Sequence, residues 1–256
     1  MIDYFDRIYY IRRSELSGDQ VEKKRRRFFK SIQHFYPTCR PLIVDAHLTV
    51  GQPGGSHVGC ALSWLDVIRH AKAASYARIL VFEEDALLLK NFGRLFDNVI
   101  GELKTNHWDL LKLGAGVWQT IDPGWEKYND CEHLQIEDGT CTHAMALNHT
   151  IYDRFLNEYP ETEQGVREYV LDPGYNAGAA YNGAIDMFIL YHIKKPHWTK
   201  LITKPRLVTQ DSLSGLSVGF KQDYRWDYHY PDGVDDVNGY KIGDQETRTD
   251  WVPYEK

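Results

Sequence analysis

Residues 76–89 read YARILVFEEDALLL, and the rest of the chain is interpreted outward from this stretch. The unbroken apolar run 79–82 is rich in residues that favour strands, so it predicts a short strand buried on both faces. Three adjacent carboxylates follow it: Glu83, Glu84 and Asp85. Because neighbouring anions repel each other and are costly to bury unpaired, a divalent cation held by carboxylate oxygens is one way to satisfy them. A strand that runs into a solvated acidic turn is the alternative.

Composition limits the classes of protein to consider. The 256 residues include 43% hydrophobic and 26% charged residues, which is typical of an ordinary globular core. A net charge of -6 gives no overall attraction to nucleic acid or to an anionic membrane. No apolar segment approaches the ~20 residues that span a bilayer, and the four cysteines form no CxxC pair. We therefore expect a cytoplasmic protein without a transmembrane segment or a nucleic-acid partner.

Apolar runs alternate with helical periodicity along the first part of the chain. Strands are predicted at 7–11 and 42–46, and helices at 20–34 and 57–74, where Ser56 caps the second helix. This alternation is typical of a parallel sheet. Later elements are predicted as helices 92–103, 150–159 and 184–193, strands 108–114 and 141–147, and a final strand and loop over 201–211, with 116–138 irregular.

Two regions follow from this pattern. We predict one α/β domain over residues 1–218, in which helices flank a mainly parallel central sheet. Residues 219–256 form an acidic, aromatic C-terminal tail that is irregular and packs on the domain or extends from it.

Six short segments occur in the order and spacing of one enzyme family. They are 9–13 (YYIRR), 59–65 (GCALSWL), 82–86 (FEEDA), 142–147 (THAMAL), 185–186 (ID) and 210–214 (QDSLS). Through them the chain, over residues 6–218, resembles glycosyltransferase family 25, which includes bacterial lipooligosaccharide transferases and procollagen galactosyltransferases. Trp64 stands where that family usually has His, and Glu84 where it usually has Asp. We expect Trp64 to remove a polar contact near the helix.

The resemblance implies a nucleotide-binding domain of the GT-A type, a Mn²⁺ or Mg²⁺ ion and a UDP-sugar donor that carries galactose or glucose. It implies that Asp85 ligates the metal directly, and that Glu83 completes the metal shell or holds the ribose. If 81–87 is one strand, Glu83 and Asp85 share a face and Glu84 lies on the other face as a structural residue. The donor-binding residues that the resemblance implies are Tyr10, Arg12, Glu83, Gly59 and Ser63.

An inverting transfer also needs a base for the acceptor hydroxyl. Asp186 is the candidate because it stands near the start of a predicted helix, although the same carboxylate is suited to capping that helix. Asp172 and Asp211 are reserve candidates. Asn176, Tyr181 and Asn182 lie in a predicted loop of the kind that reads acceptor hydroxyls. The acceptor class stays open between a glycan, a lipid-linked saccharide and a protein hydroxyl.

Two other functions fit the same sequence. A domain that binds nucleotide without turnover is one, because Trp64 and Glu84 depart from the family pattern. A metal-dependent phosphohydrolase is the other, since a carboxylate cluster at a strand end serves that chemistry too.

Overall fold

The computed structural model of this protein describes residues 2–13, 18–49, 51–52, 54–90, 92–114, 128–136, 141–172, 184–192 and 198–210. Its strands are β1 (Arg7–Arg12), β2 (Leu42–Asp45), β3 (Arg78–Glu83), β4 (Ala86–Leu88), β5 (Leu110–Lys112), β6 (Leu134–Ile136), β7 (Ala144–Asn148), β8 (Lys200–Thr203) and β9 (Val208–Gln210). Its helices are α1 (Gly18–Phe35), α2 (Gly55–Ala73), α3 (Phe92–Thr105), α4 (Tyr152–Glu158), α5 (Glu163–Leu171) and α6 (Ile185–His192).

A seven-stranded sheet with the order β2-β1-β3-β7-β5-β8-β6 forms the centre of the described fold. β1 runs parallel to β2 and β3, and β5 runs parallel to β8. β7 runs antiparallel to β3 and β5, and β6 runs antiparallel to β8. Five of these strands therefore point in one direction, which confirms the predicted α/β class with a mainly parallel sheet. The carboxyl ends of β2, β1 and β3 meet at one edge of the sheet.

The core is divided by the sheet into two apolar layers. Tyr10, Leu80 and Phe82 face the layer under α1 and α3. Tyr9 and Val81 alternate with them and face the layer under α2, α4, α5 and α6. Each large apolar side chain buried in this way contributes about 1.5–3 kcal/mol relative to an exposed one. Burial on both faces explains why β3 reads as a continuous apolar run.

The strand predicted over 81–87 is wrong. β3 ends at Glu83, Glu84 and Asp85 form a turn, and β4 begins at Ala86. β4 leaves the central sheet and pairs with β9 instead, with Leu87 opposite Thr209. The two apolar runs around the carboxylates therefore belong to different sheets, and strand alternation does not fix the side of Asp85.

Other predicted elements were confirmed with shifted ends, and some were missed. Helix α5 was not predicted; Thr162 caps it by accepting from the Gly165 amide at 3.1 Å. Strand β6 falls within 116–138, a range that was predicted to be irregular. The predicted cap at Ser56 is wrong, because α2 begins at Gly55 and Gly54 occupies the cap position with a φ of 75°.

The remaining predictions concern the C-terminal tail and a transmembrane segment. The predicted tail at 219–256 and the domain end at 218 lie outside the described residues. Among the helices that the structure does describe, none has both the length and the apolar character that crossing a bilayer requires.

Candidate functional site

The carboxyl edge of the parallel strands carries a set of charged residues. β1 and β2 end side by side, with Arg12 opposite Asp45, and Ile11 of β1 is opposite Glu83 of β3. Arg12 forms an ion pair with Asp45 in which Nη2 and Oδ1 are 2.6 Å apart. Both side chains are partly exposed, so this pair adds little stability but orients the guanidinium at the edge. Sequence reasoning predicted Arg12 and missed Asp45.

Glu83 is the most heavily hydrogen-bonded carboxylate at this edge. Its Oε1 accepts from Trp64 Nε1 at 2.7 Å and from Thr142 Oγ1 at 2.6 Å. The Cys60 thiol lies 3.6 Å from the same oxygen. Within the described residues, every hydrogen bond to this carboxylate goes to Oε1. The expectation that Trp64 removes a polar contact is therefore wrong, because its indole N–H supplies one.

Burial, together with the nearby charge of Asp85, raises the pKa of Glu83 to about 7. The hydrogen bonds from Thr142, Trp64 and Cys60 oppose this rise because they stabilise the charged form. Without a ligand, Glu83 is therefore present in both protonation states near neutral pH. A cation or a ligand donor at this carboxyl group favours the ionised form.

Glu84 points to the opposite side of the sheet, toward α1. Its Oε1 is 3.5 Å from Lys24 Nζ, and both side chains are 9% exposed. Its Oε2 is buried and has no hydrogen-bond partner among the described residues. Burial raises the pKa of Glu84, while the charge of Lys24 lowers it. Glu84 thus has the structural position that the sequence predicted, beneath α1 and away from Glu83.

Asp85 follows Glu84 in the turn between β3 and β4. Its charge raises the pKa of both Glu83 and Glu84. A turn, and not a strand, therefore carries the last member of the acidic triplet.

Asp186 reaches the same region from α6. Its Oδ2 accepts from the Cys141 amide at 3.2 Å, and its Oδ1 accepts from the Met187 amide at 2.9 Å. Thr142, the residue after Cys141, donates to Glu83. Two carboxylates that lie far apart in sequence are therefore bonded to consecutive residues. The fold brings the predicted base and the predicted donor residue into one site.

The other predicted donor residues lie behind the edge. The Ser63 hydroxyl accepts from the His47 amide at 3.0 Å and donates to the Gly59 carbonyl at 2.6 Å. A Cβ atom on Gly59 would lie 2.5 Å from the His47 carbonyl oxygen. In this structure Gly59 and Ser63 fasten the segment after β2 to α2. Only a residue without a side chain fits this close approach.

Tyr10 is 1% exposed, and its ring stacks on Phe28 with centroids 4.6 Å apart. Burial raises the pKa of its hydroxyl, and the charge of Glu84 adds to that shift. Tyr10 therefore lies under the acidic turn, in the core layer of α1. The predicted acceptor residues Asn176, Tyr181 and Asn182 and the reserve base Asp211 lie outside the described residues; Asp172 follows α5 and is exposed.

The carboxylates of Glu83 and Asp85 are candidate ligands for a divalent cation. No group of three or more His, Cys, Asp or Glu side chains within the described residues is arranged to hold a metal by itself. Mg²⁺, however, is commonly bound through one or two carboxylates together with substrate phosphates. Asp85 and Glu83 supply hard oxygen ligands of this kind. The residues present therefore fit a cation shared with a diphosphate.

Comparison with known proteins adds little to this geometry. No family model matches the chain, and no curated protein matches it. Among solved structures, the crystal structure of 4-diphosphocytidyl-2C-methyl-D-erythritolsynthase from Anaerococcus prevotii is similar, with 10% identity and a TM-score of 0.31. The match covers 80% of this chain and 92% of that one. A likeness this weak carries no argument about function.

Proposed function

We propose that this protein is a metal-dependent, inverting glycosyltransferase of the GT-A type that moves a hexose from a UDP-sugar to a hydroxyl acceptor. The observation that carries the proposal is the joining of Glu83 and Asp186 through Thr142 and Cys141. Two carboxylates at the carboxyl edge of a parallel sheet stand where α/β proteins bind ligands. The ordered segments that resemble glycosyltransferase family 25 support the same reading.

The donor half of the proposed site consists of Glu83, Asp85 and Arg12. Breaking the bond between the anomeric carbon and the diphosphate leaves negative charge on the diphosphate oxygens. Mn²⁺ or Mg²⁺, when bound, supplies positive charge that stabilises this leaving group. Asp85 and Oε2 of Glu83 are the oxygens that would hold it. Arg12, fixed by Asp45, adds a second positive charge at the edge.

The acceptor half depends on Asp186. Its carboxylate is oriented by the amides of Cys141 and Met187, and the residue after Cys141, Thr142, bonds Glu83. In the proposed reaction Asp186 takes the proton of the acceptor hydroxyl while the oxygen attacks the anomeric carbon. Attack from the face opposite the leaving diphosphate inverts the anomeric configuration. Galactose or glucose is the proposed hexose; a glycan, a lipid-linked saccharide or a protein hydroxyl is the acceptor.

The test is UDP release from UDP-galactose and UDP-glucose, measured with Mn²⁺, with Mg²⁺ and with a chelator. We expect release that depends on the metal and that Asp85→Asn reduces, while Glu84→Gln serves as the matched control from the other side of the sheet. UDP binding without any turnover would instead support a nucleotide-binding module. Release of inorganic phosphate from a simple phosphoester would support a phosphohydrolase.

A further inference from the structure

The two residues that precede β7 contact both functional carboxylates. The backbone amide of Cys141 donates to Asp186 Oδ2 at 3.2 Å. The side-chain hydroxyl of Thr142, a residue 6% exposed, donates to Glu83 Oε1 at 2.6 Å. One donor belongs to the backbone and the other to a side chain, yet they come from adjacent residues. Cys141 therefore contacts the carboxylate of Asp186, and Thr142 contacts that of Glu83.

Cys141 has a backbone conformation that residues other than glycine rarely adopt. Its φ is 72°, in the left-handed region that glycine adopts readily and other residues adopt rarely. Backbone strain of this kind persists only where the surrounding structure enforces it. Here the left-handed turn is accompanied by a Cys141 amide bonded to Asp186 and a Thr142 side chain bonded to Glu83. The strained residue, Cys141, thus makes one of these contacts and directly precedes the residue that makes the other.

The Glu83 carboxylate is held from two sides. Thr142 approaches it from the segment before β7, and Trp64 approaches it from α2 with a donor distance of 2.7 Å. Because both donors meet at Oε1, the carboxyl group has little freedom to rotate. Hydrogen bonds to a charged acceptor are stronger than neutral ones, so each donor contributes to this orientation.

We propose that Cys141 and Thr142 are positioning residues that hold Glu83 and Asp186 in one fixed mutual arrangement. The proposal rests on the proposed function to the extent that Glu83 serves the donor and Asp186 the acceptor. Thr142 sets the orientation of the donor carboxylate, and the left-handed backbone at Cys141 sets that of the base. In this proposal both residues act through the carboxylates that they hold.

Paired substitutions separate positioning from mere packing. Thr142→Val removes the hydroxyl but keeps the shape, and Thr142→Ser keeps the hydroxyl. We expect Thr142→Val to raise the KM for the UDP-sugar by about tenfold, because a hydrogen bond to a charged group is lost. The KM of Thr142→Ser should stay within about twofold of the wild-type value. Equal effects of the two substitutions would overturn the role of Thr142.

Cys141 is tested in the same way. Cys141→Gly keeps the amide donor and adopts the left-handed conformation without strain, so we expect full activity and a higher Tm. Cys141→Val introduces a branched side chain that disfavours this conformation. We expect it to lower kcat by about tenfold with the donor KM unchanged, because it disturbs the base and not the donor residue. Loss of activity in Cys141→Gly would overturn the role of the left-handed backbone.

A readout that does not depend on turnover is the Nε1–H NMR resonance of Trp64, one of seven tryptophans, assigned with Trp64→Phe. We expect Thr142→Val to shift this resonance and to speed its exchange with solvent, and Thr142→Ser to leave it in place. Trp108, whose Nε1 donates to Tyr4 at 2.9 Å, is the internal control. Should Thr142→Val fail to fold, Thr142→Ala removes the same hydroxyl.

The two proposals fail in different ways. A wild-type protein that releases no UDP from any donor contradicts the proposed function, yet the Trp64 resonance still reports whether Thr142 orients Glu83. A Trp64 resonance unchanged in Thr142→Val contradicts the positioning role even if sugar transfer is observed.

Discussion

The indole N–H of Trp64 donates to Glu83 Oε1 across 2.7 Å, and this bond joins α2 to the end of strand β3 of the central sheet. Trp64 is fully buried, so the bond forms where water competes poorly. The residue that departs from the family pattern is therefore a direct partner of the candidate site.

The first prediction concerns this bond. Trp64→Phe keeps an aromatic ring but removes the donor, so we expect UDP affinity to fall by about threefold to tenfold and stability to fall by about 1–3 kcal/mol. Trp64→His restores a ring N–H, and we expect it to bind UDP better than Trp64→Phe while remaining less stable than the wild type. Calorimetric UDP titration and urea unfolding measure the two effects. Equal UDP affinity of Trp64→Phe and wild type would show that the bond has no part in donor binding.

A second prediction uses the raised pKa of Glu83, about 7 against an ordinary value of 4.5. Between these values the folded protein binds more protons at Glu83 than the unfolded chain does. The free energy of unfolding therefore falls as pH rises through this window, by up to about 1.4 kcal/mol per pH unit from this group.

Glu83→Gln removes this contribution. The difference in unfolding free energy between wild type and variant isolates Glu83, because the raised pKa of Glu84 and the lowered pKa of His57 are common to both proteins. Urea unfolding across the window, without metal, is the measurement. A difference in unfolding free energy that does not change with pH would contradict the raised pKa of Glu83.

The third prediction concerns the buried pair of Lys24 and Glu84. Lys24→Met leaves the Glu84 charge without its partner, so we expect a loss of roughly 3 kcal/mol in unfolding free energy. The double variant Lys24→Met with Glu84→Gln has no uncompensated charge, and we expect it to regain more than half of that loss. Additive losses in the double variant would show that the two side chains are not coupled.

A fourth prediction separates the roles of two carboxylates. Asp186→Asn removes the proposed base, so we expect transfer to fall by about 100-fold or more while UDP affinity is retained. Asp85→Asn removes a negative charge from the proposed cation site, so we expect UDP affinity in the presence of Mn²⁺ to fall. The rate of sugar transfer and, by calorimetry, the affinity for UDP are measured for both variants. Identical behaviour of the two would remove the distinction between donor and acceptor halves.

Much of the fold was predictable because its signals are local. Apolar periodicity located α1, α2 and α3, and apolar runs located β1, β2 and β3. The break after Glu83 was not predictable, because β4 pairs with β9, a strand more than a hundred residues later in the chain. Helix α5 was not predicted because only Val166 and Val170 are buried along it, and two apolar positions are too few to show helical periodicity.

The candidate site was predicted in its carboxylates but not in their partners. Glu83, Asp85 and Asp186 stand out by charge beside apolar runs, a pattern visible in the sequence. Trp64 and Thr142 are ordinary in sequence, and only the packing of α2 and of the segment before β7 against the end of β3 brings them to one oxygen. The short segment containing Thr142 belonged to the family resemblance, which was the available signal.

The central claim is that a nucleotide and its metal bind at Glu83 and Asp85, and Mn²⁺ with UDP tests it most directly. Paramagnetic Mn²⁺ broadens NMR resonances of nearby protons, and Trp64 Nε1–H lies against Glu83. Trp108 bonds Tyr4, which packs on Arg78 at the other end of β3, roughly 15 Å away at the usual rise per residue. We predict that the Trp64 resonance broadens far more than that of Trp108, because the broadening falls steeply with distance; a Trp64 resonance that stays sharp while UDP and Mn²⁺ are bound would contradict binding at Glu83 and Asp85.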